Sequence, residues 1–117
     1  MSVQNALASV AVRDVKAATP WYEEVLEARA TQPMPELSEW HFDRGGGLQV
    51  YELAERAGSC SATLAVDDLD AQLSKLERLR IPVNRLPDNP RARIAMIKDP
   101  DGNSLAFAQA LDEALVR

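Results

Sequence analysis

Cys60 is the only cysteine of the chain, so no intrachain disulfide can form, and a lone thiol fits a reducing compartment. No apolar run approaches the roughly 20 residues needed to span a bilayer. Met1–Ala8 has no basic stretch followed by a long apolar one, so a signal peptide is not expected. These absences predict a cytoplasmic protein with no membrane partner. Positive charge is also in short supply. Thirteen Lys and Arg stand against eighteen Asp and Glu, a net charge of −5. No basic run or aromatic-interleaved patch offsets it, which argues against nucleic acid as a partner. Histidine occurs once, at His41.

What is present is an ordinary globular composition, with 46% apolar and 26% charged residues in 117. That length suits one domain burying roughly 60–70% of the surface its unfolded chain exposes. The valine-rich run Ala6–Val12 reads as a strand, and Asp14 is a good N-cap for a helix over Val15–Leu26. Pro20 is awkward inside that helix, so an irregular first turn or a start near Thr19 is expected. Ala28–Gln32 reads as a short strand broken by Pro33 and Pro35. Ser38–Asp43 and Leu48–Glu52 form a hairpin around Arg44-Gly45-Gly46-Gly47. Leu53–Ser59 is a polar connection.

The pattern then restarts. Ala62–Val66 reads as a strand, and Asp67 and Asp68 cap a helix with Leu69, Leu73, Leu76 and Leu79 on one stripe. Ile81–Asn84, Arg93–Lys98 and Ser104–Ala108 read as strands, and Leu111–Val116 as a short helix or a tail. Ser9–Ala17 lies beside Thr63–Ala71 at a displacement of 54 residues, with four identities in nine positions. Leu48-Gln49-Val50 lies beside Leu105-Ala106-Phe107 at a displacement of 57. The chain therefore reads as one domain, 1–117, of two strand–helix–strands modules, 1–56 and 57–117. Strand alternation puts Val10, Leu48, Leu64 and Leu105 on a face covered by helices. The opposite face is small or mildly polar: Ser9, Gln49, Tyr51, Ser61 and Thr63. Such a face suits a cleft for a small molecule, against the alternatives of a solvent-facing sheet or a dimer contact.

Four segments carry a resemblance to a known family. They are Val10–Asp14 leading to Trp21-Tyr22-Glu23 and Leu26; Leu48–Glu52; Leu64–Asp70; and Asp99-Pro100-Asp101-Gly102-Asn103. With these segments in this order the chain resembles the vicinal oxygen chelate superfamily, which includes glyoxalase I, bleomycin-resistance proteins and extradiol dioxygenases. The resemblance implies an α+β fold of two paired βαβββ modules, forming a curved mixed sheet around a cleft with helices on the outer face. It also implies a homodimer. The Asp99–Asn103 segment has its own reading as a tight turn, with proline presetting φ and Gly102 supplying a positive one. It lacks the spaced ligands of a calcium loop.

Enzymes of that superfamily hold a divalent metal, and the resemblance maps its four ligand positions onto Leu7, Gln49, Ser61 and Ala106. Only Gln49 is a plausible ligand, and one amide oxygen cannot replace a hydration shell. No metal and no cofactor is therefore expected. Glu39, His41 and Asp43 alternate along one strand and form a lesser cation candidate, with a solvated face as the plainer reading. Cys60 reads as a packing thiol. Trp40 and Phe42 with Tyr51 read either as core or as an aromatic wall of the cleft. Arg91 and Arg93 either pair an anionic ligand or face solvent. The expected function is metal-independent binding of a small molecule in a cleft lined by Ser9, Gln49, Tyr51, Ser61, Thr63 and Trp40. The alternative is a lyase, isomerase or dioxygenase with a non-standard metal site.

Overall fold

The computed structural model describes residues 2–111. The chain divides into two compact units, one of residues up to Cys60 together with Pro100–Asn103, the other of Ser61–Asp99 and the strand from Ser104 on. Among the described residues each holds a four-stranded mixed sheet and one α-helix, an α+β architecture. The expected helix or tail over Leu111–Val116 lies, past Leu111, outside the described residues.

In the first unit β1 is Ala8–Val12, α1 Val15–Leu26, β2 Thr31–Met34, β3 Leu37–His41 and β4 Gly47–Glu52. The sheet order is β1-β4-β3-β2. β1 runs parallel to β4 and the other pairs are antiparallel. α1 starts where Asp14, in extended conformation, accepts hydrogen bonds from the Lys16 and Ala17 amides at 3.0 and 3.4 Å. It buries Val15, Ala18, Tyr22 and Val25, one stripe at helical spacing. Pro20 neither delays nor breaks the helix, contrary to expectation. The proline is exposed, and the carbonyl it leaves unpaired, on Lys16 one turn earlier, belongs to an exposed residue that water can reach. The second strand also differs from expectation, because it begins three residues later and includes Pro33. It is the sheet's exposed edge, where a missing N–H costs no ladder bond.

In the second unit β5 is Ser61–Ala65, α2 Leu69–Arg78, β6 Asn84–Arg85, β7 Ala92–Lys98 and β8 Ser104–Ala110, in the order β5-β8-β7-β6. Asp68 caps α2 by accepting from the Ala71 amide at 3.1 Å. Leu69 and Leu76 are fully buried, while Leu73 and Leu79 at the margins of the stripe are half-buried. The strand expected over Ile81–Asn84 is only the pair Asn84–Arg85, and the polar connection after β4 contains a 3₁₀ turn at Ala54–Arg56.

The repeat is geometric as well as sequential. Ser9 is the register partner of Gln49 and Thr63 that of Ala106, so the displacements of 54 and 57 hold in the ladders themselves. Each helix-side face is a packed core. Val10, Val12, Trp40, Leu48 and Val50 fill it in the first unit, and Leu64, Ala95, Ile97, Leu105 and Phe107 in the second. Full burial of one such side chain contributes roughly 1.5–3 kcal/mol.

The turn between β7 and β8 does more than reverse the chain. Asn103 is fully buried. Its Oδ1 accepts from the amides of Gly58 and Cys60, both at 2.9 Å, and its Nδ2 donates to the Ala11 carbonyl at 2.8 Å. Beside it the Ala11 amide donates to Cys60 Sγ at 3.4 Å. Both polar groups of Ala11, on the edge strand β1, are thereby satisfied by side chains. Gly58 sits at φ 91°, and a Cβ there would meet the Asp101 carbonyl oxygen at 2.6 Å. Asn103→Ala would leave two amides and a carbonyl without partners, and we expect it to lower unfolding free energy by about 2–4 kcal/mol. Urea denaturation measures this.

On the surface of the second unit, Arg93 donates to both oxygens of Asp70, at 3.0 and 3.4 Å. That hydrogen bond, and secondarily the guanidinium charge, holds the Asp70 carboxyl below its ordinary value. A depressed carboxylate stabilises the fold at pH values above the unfolded-state pKa, and the contribution disappears as pH falls through the lower folded-state value. Asp70→Asn should therefore reduce the melting temperature slightly at neutral pH and low salt. Wild type and variant should converge in acid, and also at high salt, where an exposed pair is screened.

Candidate functional site

The faces of the two sheets that are not covered by helices carry the candidate residues. In the first unit, register lays them out in rows. The middle row crosses the sheet as Ser9, Gln49, Glu39 and Thr31. One side of it is the row Ala11, Tyr51, Leu37 and Met34, and on the other side Gly47 pairs with His41. Leu7 packs beside Gly47, where an added Cβ would come within 3.2 Å of the leucine side chain and 2.5 Å of the Trp40 carbonyl oxygen.

The middle row is a connected hydrogen-bond chain. Ser9 Oγ donates to Gln49 Oε1 at 3.0 Å, and Gln49 Nε2 donates to Glu39 Oε2 at 2.6 Å. A carboxylate only accepts, so Glu39 fixes which way the Gln49 amide points. His41 Nε2 lies 3.2 Å from Glu39 Oε1 and donates to it. The Glu39 side chain is only 15% exposed, against 60% for His41. Among the described residues no lysine or arginine pairs with Glu39. The carboxylate is held by an amide and an imidazole alone.

The corresponding face of the second unit is of different chemistry. Thr63, Ala106 and Met96 occupy the places of Ser9, Gln49 and Glu39, followed by a row of Ala65, Ala108 and Ile94. Ser61 and Ser104 pair at one end, where Lys98 Nζ donates to Ser104 Oγ at 2.8 Å. Apart from that end and Thr63, the residues of these rows are apolar.

Of the six residues expected to line a cleft, Ser9, Gln49 and Tyr51 come together on the open face of the first sheet. Ser61 and Thr63 stand exposed on that of the second. Trp40 is on neither. It is 2% exposed on the helix side, its ring 5.9 Å from that of Tyr22, and its indole N–H donates to the Ala28 carbonyl at 2.9 Å. One step along the strand from Glu39 points a side chain through to the other face, so Trp40 is core. Phe42 lies beyond the end of β3 and is 37% exposed. Arg93 pairs with Asp70 and approaches Asp88 at 3.7 Å rather than standing free for a ligand.

Glu39 and His41 share a face, as their alternation predicts, while Asp43 lies in the turn beyond β3; what reading along a single strand misses is the pairing of Glu39 with Gln49. Counting outward from the hairpin turn pairs 41 with 47 and 39 with 49, and that count would have found it. Among the described residues no three His, Cys, Asp or Glu side chains are arranged to hold a metal ion. The four positions onto which the resemblance maps metal ligands hold a leucine packed on Gly47, an amide engaged by Ser9 and Glu39, a serine and an alanine. This donor set does not fit a divalent metal.

With the geometry in place, comparison with known proteins assigns the class. The family model of the Glyoxalase/Bleomycin resistance protein/Dioxygenase superfamily matches residues 4–107, and the chain belongs to that superfamily. Among solved structures it is similar to a glyoxalase/bleomycin resistance protein from Catenulispora acidiphila DSM 44928. The two share 34% identity over 92% of this chain and 99% of that one, with a TM-score of 0.82. It is also similar to TnmS3, an antibiotic binding protein from Streptomyces sp. CB03234, at 26% identity over 94% of this chain and 98% of that one, with a TM-score of 0.80. A glyoxalase/bleomycin resistance protein from the same Streptomyces shares 28% identity over 91% of this chain and all of that one, with a TM-score of 0.78. No curated protein matches the sequence at a significant level. No helix among the described residues is long and apolar enough to cross a membrane.

A carboxylate placed for function rather than for folding can be removed without harm to the fold. Glu39→Gln keeps an acceptor for Gln49, so we expect its unfolding free energy to stay within about 0.5 kcal/mol of wild type. A loss near 2 kcal/mol in the same urea titration would make Glu39 a structural residue.

Proposed function

We propose that this protein binds a small organic molecule without a metal ion. The proposed contact residues are Ser9, Gln49 and Tyr51 on the open face of the first sheet; in the second unit, taken by itself, the proposed contact residues are Ser61 and Thr63. The observation that carries this reading is the Ser9–Gln49–Glu39 chain. At the one mapped metal-ligand position with a suitable side chain, the amide is engaged by Ser9 and Glu39. Similarity to an antibiotic binding protein supports it. The lyase, isomerase and dioxygenase reading needs metal ligands that Leu7, Ser61 and Ala106 do not offer. The family resemblance and the absence of a basic patch support a homodimer in the cytoplasm with no nucleic-acid partner, and sedimentation velocity would measure the first of these.

A thermal-shift screen of small organic molecules, run in EDTA, tests the proposal. A ligand at 100 times its Kd adds about 2.7 kcal/mol to stability. In a domain of this size that raises the melting temperature by on the order of 10 °C. Hits whose shift is the same with and without EDTA are expected. Hits that vanish in EDTA and return with a divalent metal would contradict the proposal.

A further inference from the structure

Glu39 poses a problem that the hydrogen bonds around it do not solve. Its side chain is mostly withdrawn from water, and its described partners are neutral or weakly basic donors, Gln49 Nε2 at 2.6 Å and His41 Nε2 at 3.2 Å. Glu23 and Glu52 accept from backbone amides, and three aspartates have cations of their own. Asp70 has Arg93, Asp88 has Arg85 and Arg93, and Asp101 has Arg13. A carboxylate so placed carries a desolvation cost that a compact positive charge would offset. Each of its oxygens already accepts one hydrogen bond and retains lone-pair capacity for another.

Resting on the reading of this face as a ligand site, we infer that Glu39 is the anchor for a ligand bearing a protonated amine, and that the ligand's apolar body lies along Tyr51 and Met34. The neighbouring row supplies the second half of that recognition. Met34 is 49% exposed and Tyr51 is half-buried, with the buried Leu37 between them in register as the floor of the row. An ammonium donates a charge-assisted hydrogen bond to one carboxylate oxygen without needing both. A guanidinium fork would compete with Gln49 and His41 for the same two oxygens. A metal ion would find Glu39 and His41 but no third strong ligand, since no cluster of three is present among the described residues. The net charge of −5 favours approach of a cation from a distance.

Three indole probes that differ in charge but share one body test this: tryptamine, the neutral tryptophol, and indole-3-acetate. Each is titrated into ¹⁵N-labelled full-length protein and followed by the backbone amides of β3 and β4 and the side-chain amide of Gln49. Tryptamine should bind about tenfold or more tightly than tryptophol, and the acetate should bind weakest. In Glu39→Gln the tryptamine affinity should fall to the tryptophol level. Glu55→Gln removes the same charge from an exposed position on the 3₁₀ turn and should keep the preference. Equal binding of tryptamine and tryptophol at these amides would overturn the ammonium assignment while leaving a small-molecule site in place. Loss of the preference in both variants would also overturn it, because it would then reflect net charge alone. If none of the three probes shifts these amides the assignment fails. The screen in EDTA then decides separately whether the protein binds small molecules at all.

Discussion

One buried amide, that of Asn103, does the work on which the first unit depends. Three hydrogen bonds tie it to the Ala11 carbonyl on β1 and to the amides of Gly58 and Cys60 at the end of the connecting segment. An edge strand normally leaves N–H and C=O groups seeking partners. At Ala11 the Asn103 side chain takes one and the Cys60 thiol takes the other. β1 is thus held at a rim where a sheet would otherwise fray, and β1 carries Ser9. The position of the polar row on the open face follows from a turn ninety-odd residues away in the chain, which explains why Asp99-Pro100-Asp101-Gly102-Asn103 is the most distinctive segment of the sequence.

From β1 the logic passes across the sheet. Register sets Ser9 opposite Gln49 and Gln49 opposite Glu39, and each side chain satisfies the next. The helix-side faces of both sheets do the ordinary work of stability through Val10, Leu48, Leu64 and Leu105. The opposite faces are free to differ. In one unit this face is polar and ends on a carboxylate; in the other Thr63, Ala106 and Met96 stand at the same places. The two units share strand order and register while their open faces differ in chemistry, and among the described residues no three His, Cys, Asp or Glu side chains gather to hold a metal ion.

Much of this was legible from residues. Asp14 and Asp68 announce the two helices, and both cap them as expected. The repeat read from short identities holds in the ladder registers. Period-two alternation is visible in the burial of β5, where exposed and buried side chains strictly alternate, whereas in β1 Ala11 is buried along with Val10 and Val12. What was not legible depended on contacts remote in sequence or on context that overrides local preference. Pro20 and Pro33 read as breaks, yet one lies on an exposed helix face and the other in an edge strand, where the lost N–H does little harm. Trp40, which reads either as core or as an aromatic wall, takes the core because its neighbour Glu39 takes the other face. The clasp at Asn103 left no local signal, since all three of its partners are more than 40 residues away.

Elemental analysis of the protein, purified without chelator and dialysed against metal-free buffer, tests most directly whether this member of a metal-using superfamily works without one. A metal content far below one atom per chain is the expected result, given Leu7, Ser61 and Ala106 where ligands would stand. One tightly held divalent ion per chain, lost on Gln49→Ala, would contradict the account at its centre.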